Sequence, residues 1–187
     1  MATESPLPHN GAPATRNKHV SPFNTISLVG MPGAGKSTVG VLLAKLTGQR
    51  FVDTDLDIQV QEEATLQEIL EARGHEYLRQ VEEQVLLELD LDHALVSTGG
   101  SAVYSQPVMA RLKQLGPVIY LSADLATLEA RVAAAPPRGI ASDGAQSFAD
   151  VYAERTPLYQ KYADHTVDAC AGTPEQVALR ILELLSP

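Results

Sequence analysis

The sequence predicts a three-layer α/β sandwich built on a mostly parallel sheet of five strands. Three observations support this fold class. Short apolar runs alternate with segments of helical period from residue 25 onward. The first run stops at a glycine and leads into a helical segment, as in strand–loop–helix units. Unusual polar residues gather where strands end, at the sheet edge where such folds bind ligands.

The elements are predicted in chain order from these patterns. Strands are expected at 26–29, 51–52, 94–97, 118–121 and 166–168. Helices are expected at 36–46, 65–74, about 76–91, 125–133, a segment ending near 162, and from Pro174 onward. Thr65 and Glu68 have the spacing of a capping box that begins a helix, and Gly74 is expected to end it.

The chain divides into a tail and one domain. Residues 1–24 are rich in Pro, Ser, Thr and Ala and have no apolar period, so we expect a flexible tail. Residues 25–187 are long enough for one domain with a substantial core. Within it, the polar segment 136–146 contains turn residues and is predicted to be a loop.

Composition excludes several classes of function. The net charge of −9 argues against nucleic acid as a partner, because phosphate backbones require a basic face. No apolar run is long enough to span a membrane, and the N-terminus lacks the apolar core of a secretory signal. The single cysteine, Cys170, fits a reducing compartment. We therefore expect a cytoplasmic protein without nucleic-acid or membrane partners.

The segment Gly30–Ser37 matches the phosphate-loop pattern G-x-x-x-x-G-K-[ST] between a predicted strand and a predicted helix. The glycines allow the backbone to approach phosphate oxygens, and the helix presents free N–H groups to them. Lys36 would neutralise the β- and γ-phosphates, and Ser37 would bind Mg²⁺. The alternative, a glycine turn beside a solvated lysine, fits this context poorly. The pattern predicts ATP and Mg²⁺ as ligands, with nucleotide contacts from Gly30, Gly33, Ala34, Gly35, Lys36, Ser37 and Thr38.

Two aspartates follow the second predicted strand. Asp53 and Asp55 are two residues apart, so on a strand their side chains would point the same way. One carboxylate could bind Mg²⁺ while the other orients and deprotonates a hydroxyl group. The spacing also fits a turn with a helix cap, and both interpretations remain open.

Arginines and glycines complete the list of candidates. Arg79 is a possible carboxylate ligand, because guanidinium geometry suits that anion, but with Glu82 it could equally form a surface pair. The segment 98–101, Thr-Gly-Gly-Ser, could bring a ligand close to the backbone or be a plain turn. Arginines on both sides of the 136–146 loop suggest a lid over phosphates; they are Arg131, Arg138 and Arg155.

In this order the motifs resemble the shikimate kinase family, phosphate-loop kinases related to nucleoside monophosphate kinases. The resemblance extends from about residue 25 to the C-terminus. Besides the phosphate loop, it depends on Phe51-Val-Asp-Thr-Asp, Tyr77-Leu-Arg with Glu82, Thr98-Gly-Gly, Arg138, and Arg155-Thr-Pro-Leu-Tyr. It implies Mg²⁺- and ATP-dependent phosphorylation of a small hydroxy acid by a monomer, most simply of shikimate to shikimate 3-phosphate.

The resemblance also implies roles for individual residues. Lys36, Asp55 and Arg138 would be catalytic, with Asp55 as the candidate base. Asp53 would bind Mg²⁺ with Ser37, and Arg131 would stack near adenine. The acid would be bound by Asp55, Arg79, Gly99, Gly100 and Arg155. Residues 54–90 would form the acceptor-binding subdomain and residues 134–147 the lid.

Two positions depart from the family pattern. Ser101 replaces the usual third glycine, and Gly139 follows the lid arginine where the family usually has proline. These departures leave gluconate or homoserine as alternative acceptors, and a non-catalytic ATP-binding regulator as a further alternative. A GTPase would need an N-K-x-D motif, which the sequence lacks.

Overall fold

The computed structural model describes residues 23–136, 139–140 and 146–186, so nearly all of the predicted tail lies outside the described residues. The strands are β1 (Ile26–Val29), β2 (Arg50–Asp53), β3 (Ala94–Ser97), β4 (Val118–Ser122) and β5 (His165–Asp168). The α-helices in the described ranges are α1 (Lys36–Thr47), α2 (Thr54–Glu62), α3 (Leu66–Glu88), α4 (Gln106–Leu115), α5 (Leu125–Ala134), α6 (Phe148–Tyr162) and α7 (Pro174–Leu184). A 3-10 turn, Ala102–Tyr104, precedes α4.

The five strands form one sheet in the order β2-β3-β1-β4-β5, and every neighbouring pair is parallel. β1 lies in the middle of this sheet, and its residues are fully buried, as expected for a strand covered on both faces. The loop that follows β1 therefore emerges at the centre of the carboxyl edge. The predicted fold class, an α/β protein with a parallel five-stranded sheet, is confirmed.

Helices cover both faces of the sheet. α1 packs against one face, where an added Cβ at Gly40 would lie 3.0 Å from the Leu95 side chain. α6 packs against the other face, where Tyr159 stacks on Tyr120 of β4 with ring centroids 5.1 Å apart. α1 and α6 lie on opposite faces of the sheet. Leu28 faces α1 and is paired with Ile119, so Ile119 faces α1 as well; the next residue, Tyr120, points to the opposite face, where α6 lies. The molecule is therefore a three-layer sandwich.

Helices α2 and α3 have an apolar cluster of their own, formed by Ile58, Ile69, Leu78, Val81 and Val85. The predicted capping box begins α3, because Thr65 accepts from the Glu68 N–H and the Glu68 carboxylate accepts from the Thr65 N–H. Gly74 interrupts α3 with φ 81°, so the predicted break is confirmed. The acceptor-binding role of residues 54–90 stays a prediction.

Two helices were not predicted. α2 begins directly after Asp53, whose side chain caps it, so the helix-cap interpretation of the two aspartates is confirmed and the strand interpretation is wrong for Asp55. α4 begins after Ser105, whose hydroxyl accepts from the Val108 N–H at 3.2 Å. Of the helices described, none is both long enough and apolar enough to cross a lipid bilayer.

Candidate active site

A cavity of about 780 Å³ runs along the carboxyl edge of the sheet. The phosphate loop forms its middle, the β5–α7 loop forms one end, and residues from α2, α3 and α6 form the other. Nearly all described candidates from the sequence line it: Gly33, Ala34, Gly35, Lys36, Ser37, Thr38, Asp53, Asp55, Gly99, Gly100, Arg131 and Arg155. Gly30 and Arg79 do not line it, and Arg138 lies outside the described residues.

The phosphate loop depends on glycine at two places. Gly33 has φ 83°, a conformation that residues with a side chain rarely adopt, and its Cβ would lie 3.2 Å from the Val132 side chain. At Gly30 a Cβ would lie 2.6 Å from the Leu121 carbonyl oxygen, which is closer than packed atoms approach. The loop can therefore pass between β4 and α5 only with a bare backbone.

Lys36 lies at the start of α1 and is 8% exposed. Its ammonium group donates to the carbonyl oxygens of Gly30 at 2.8 Å and Met31 at 3.1 Å. Burial lowers the Lys36 pKa, although the Asp55 and Asp53 carboxylates partly oppose this shift. These bonds fold the loop around the position that phosphate oxygens would occupy.

Oxygen ligands suited to Mg²⁺ lie next to this loop. Ser37 Oγ is 3.4 Å from Ser97 Oγ, and both residues line the cavity. Asp53 also lines it, while its carboxylate caps α2 by accepting from the Asp55 N–H at 3.2 Å. A hydroxyl and a carboxylate beside a phosphate site match the donor set that Mg²⁺ takes in nucleotide complexes. The residues present therefore fit a Mg·ATP complex.

At the end of the cavity beside Arg131, where the adenine base is predicted to bind, only Arg131 itself was predicted from the sequence. Arg131 donates to the Gly33 carbonyl at 3.3 Å, which holds its stem beside the loop. Ala169, Gly172 and Pro174 line the wall at this end. Small residues and a proline ring leave room for a planar group against the Arg131 side chain. The adenine-stacking role of Arg131 stays a prediction.

Two carboxylates meet at the other end of the cavity. A Cβ at Gly99 would overlap Glu82 Oε1 and would lie 2.9 Å from Asp55 Oδ1. The Gly99 N–H donates to Thr54 Oγ1 at 3.0 Å and is therefore already engaged within the chain. The contribution of Gly99 to the site is its missing side chain, which lets both carboxylates lie close to the backbone. Asp55, the predicted base, thus faces the cavity beside a backbone segment without side chains.

Glu82 is a site residue for which the sequence suggested no role beyond a possible surface pair with Arg79 and a place in the family motif. It is 3% exposed and accepts a hydrogen bond from Ser101. Burial raises its pKa to about 7, with Asp55 adding to the rise and Arg155 and Lys36 opposing it. The available signal was a charged residue beside Val81 on the apolar side of a helix.

The two predicted carboxylate-binding arginines converge on one aromatic ring. Arg155 is 1% exposed, and its Nε donates to the Tyr104 hydroxyl at 3.3 Å. The Arg79 guanidinium lies over the same ring, with Cζ 4.1 Å from the centroid. A Cβ at Gly100 would lie 2.9 Å from an Arg155 nitrogen, so the glycine makes room for this guanidinium.

The described part of the predicted lid borders the same cavity. Pro136, Gly139 and Ile140 line it together with Leu66 at the start of α3. A Cβ at Gly139 would overlap the Leu66 carbonyl and lie 3.0 Å from the Gln67 nitrogen. The departure to glycine therefore lets this segment approach α3 closely. The prediction for Arg138 itself stays a prediction.

Comparisons with known proteins agree on one family. A family model described as shikimate kinase matches residues 32–186. Shikimate kinase 2 of Yersinia pestis (strain Pestoides F) is 38% identical over 167 residues, covering 87% of this chain and 95% of the relative. The structure of shikimate kinase from Acinetobacter baumannii in complex with shikimate is 33% identical, with a TM-score of 0.78, and 88% and 94% of the two chains are covered. Shikimate kinase from Aquifex aeolicus is 28% identical, with a TM-score of 0.74 and coverage of 86% and 95%.

Proposed function

Because the chain belongs to the shikimate kinase family, we propose that it transfers the γ-phosphate of ATP to the 3-hydroxyl group of shikimate. Members of this family are small-molecule kinases that use ATP with Mg²⁺. The observation that carries the proposal is that one continuous cavity contains both the phosphate loop and a second region, here called the acceptor hollow. The acceptor hollow is lined by Asp55, Glu82, Gly99, Gly100 and the buried Arg155. A donor site and a site for a hydroxy acid thus share one space.

The phosphate loop would hold and neutralise the triphosphate. Lys36 would exchange its carbonyl partners for phosphate oxygens, and backbone N–H groups at the start of α1 would bind the remaining ones. Ser37 and Asp53 would hold Mg²⁺, which supplies positive charge to the phosphates when bound. Arg131 would cover the base. The chain would thereby stabilise charge on the transferred group without a covalent intermediate.

The opposite hollow would orient the acid. Arg155, which lines the cavity, would bind its carboxylate together with Arg79, which lies over the Tyr104 ring, and Gly100 makes room for the Arg155 guanidinium. Asp55 would accept the proton of the attacking hydroxyl as the phosphoryl group arrives in line. Because positioning supplies most of the rate in such transfers, each role predicts a separate effect on acid binding or on turnover.

Ser101 gives no reason to prefer another acid over shikimate. Its hydroxyl donates to Glu82, so this departure from the family pattern adds no donor that points freely at the acceptor. We also propose that the enzyme acts as a monomer, since all residues assigned above come from one chain. We propose a cytoplasmic location as well, because the proposed donor, ATP, is an intracellular metabolite.

The test measures ADP release with Mg·ATP and shikimate, gluconate, homoserine or no acceptor, and identifies the phosphorylated product. We expect turnover with shikimate alone and a 3-phosphate product. Turnover with another acid instead would reject shikimate. ATP binding without turnover of any acid would support a regulator. Asp55→Asn is the matched control, because it should bind both ligands and lose the shikimate-dependent rate.

A further inference from the structure

Tyr104, which the proposed reaction does not use, lies between the two arginines of the acceptor hollow. The 3-10 turn that follows the 98–101 segment ends at this residue. Arg79 Cζ on α3 is 4.1 Å from the ring centroid, and Arg155 Cζ on α6 is 5.3 Å from it. One ring therefore contacts guanidinium groups from two helices that are far apart in the sequence.

The tyrosine is fixed by its hydroxyl group as well as by its ring. The hydroxyl accepts from Arg155 Nε at 3.3 Å and is hydrogen-bonded to the Glu154 carboxylate. The turn itself packs against α6 and α3 and is anchored by the buried Val103. Both the position and the tilt of the ring are thus set by contacts within the chain.

Two guanidinium groups beside one ring repel each other, and this repulsion would separate them before an anion binds. The negative face of an aromatic ring attracts a cation, and Arg in particular stacks on it. A shared ring therefore reduces the cost of holding both cations close together in the free enzyme. Preorganised ligands bind more tightly because less ordering remains to be done on binding.

We propose that Tyr104 is a positioning residue for the acceptor, whose ring holds Arg79 and Arg155 so that both meet one carboxylate. The inference rests on the proposed function, in which these arginines bind the acid. The Tyr104 ring contacts both guanidinium groups, so its effect on the acid would be exerted through the arginines. The sequence gives no sign of this role, because no helix or strand was predicted for the segment that contains Tyr104.

The test replaces Tyr104 by leucine, which removes the ring, and by phenylalanine, which keeps the ring and removes the hydroxyl. We expect Tyr104→Leu to raise the dissociation constant and KM for shikimate about tenfold, in proportion to two weakened cation–π contacts, and to leave KM for ATP unchanged. Tyr104→Phe should stay within about twofold of the wild type, because the ring remains. Tyr162→Leu is the matched control, since Lys161 lies 5.1 Å over that ring outside the cavity.

A double-mutant cycle with Arg79→Ala separates positioning from a merely structural role. If Tyr104 acts through Arg79, Tyr104→Leu should weaken shikimate binding less in the Arg79→Ala background than in the wild type. Additive effects, equal losses of ATP and shikimate affinity, or a phenylalanine variant as weak as leucine would overturn the inference. Wild-type turnover of a different acid would reject shikimate, and the cycle would then be measured with that acid. A wild type that binds no acid would reject both proposals.

Discussion

Glu82 makes the stability of the fold depend on pH in an unusual direction. The carboxyl group is buried, accepts from Ser101, and faces Asp55 on α2, Lys36 on α1 and Arg155 on α6. Burial raises its pKa from 4.5 to about 7. Between these values the folded state holds a proton that the unfolded state has lost. The contribution of this group to the free energy of unfolding therefore falls as pH rises from about 4.5 to 7. Above pH 7 the folded protein bears the full cost of burying the ionised carboxylate.

Glu82→Gln removes this penalty, because the amide has the shape of the protonated acid and cannot ionise. A shift from 4.5 to about 7 corresponds to about 3 kcal/mol at high pH, taken as an order of magnitude. The glutamine oxygen can still accept from Ser101. We expect the free energy of unfolding of the variant to exceed that of the wild type by an amount that grows from near zero at pH 4.5 to about 3 kcal/mol at pH 8.

The assay is urea unfolding of the ligand-free protein from pH 4.5 to pH 8.5, followed by far-UV circular dichroism because the chain contains no tryptophan. Glu88→Gln is the matched control, since it removes the same charge from an exposed position on the same helix. A difference between variant and wild type that stays constant over this range would refute the reasoning. So would a wild type that gains stability relative to Glu82→Gln as pH rises.

Three further changes test the catalytic half of the site. Lys36→Ala should lower kcat at least a hundredfold while far-UV circular dichroism shows that the fold is retained, because charge on the phosphates is left uncompensated; wild-type rates would remove its assigned role. Asp55→Asn should lower kcat while calorimetry shows both ligands still binding, and lost shikimate binding would indicate a purely binding role. Gly99→Ala should raise KM for shikimate about tenfold but not KM for ATP, because its Cβ would overlap Glu82 Oε1. An unchanged KM for shikimate would contradict this assignment.

The phosphate loop could be predicted in detail because its chemistry is local. Gly30, Gly33 and Gly35 all have positive φ, and Lys36 folds back onto the loop within six residues. The alternation of strands and helices was equally visible, since buried parallel strands are short apolar runs. Sequence patterns thus give the elements whose causes lie within one strand–loop–helix unit.

The acceptor hollow could be predicted only in part, because its contacts join distant segments. Tyr104 meets Arg155 across 51 residues, and Ser101 meets Glu82 across 19. The two-residue spacing of Asp53 and Asp55 left a strand and a helix cap both open, and in the structure the Asp53 cap turns the chain into α2 at that point. Spacing alone does not distinguish these outcomes, since aspartate favours both strand ends and helix caps.

The two halves of the site share one physical strategy, in which buried charged groups are held by hydrogen bonds to neutral groups of the chain. Lys36 is held by loop carbonyls, Arg155 by Tyr104, and Glu82 by Ser101. Donors fixed in advance need little reorganisation when charge develops, which is how an enzyme site stabilises a transition state. The same burial lowers the Lys36 pKa and raises the Glu82 pKa, so both charged forms are less stable than they would be in water. Burying these charged groups therefore lowers the stability of the fold at the site. The Glu82→Gln substitution should raise that stability, but it should also change the electrostatic environment of Lys36 and Arg155.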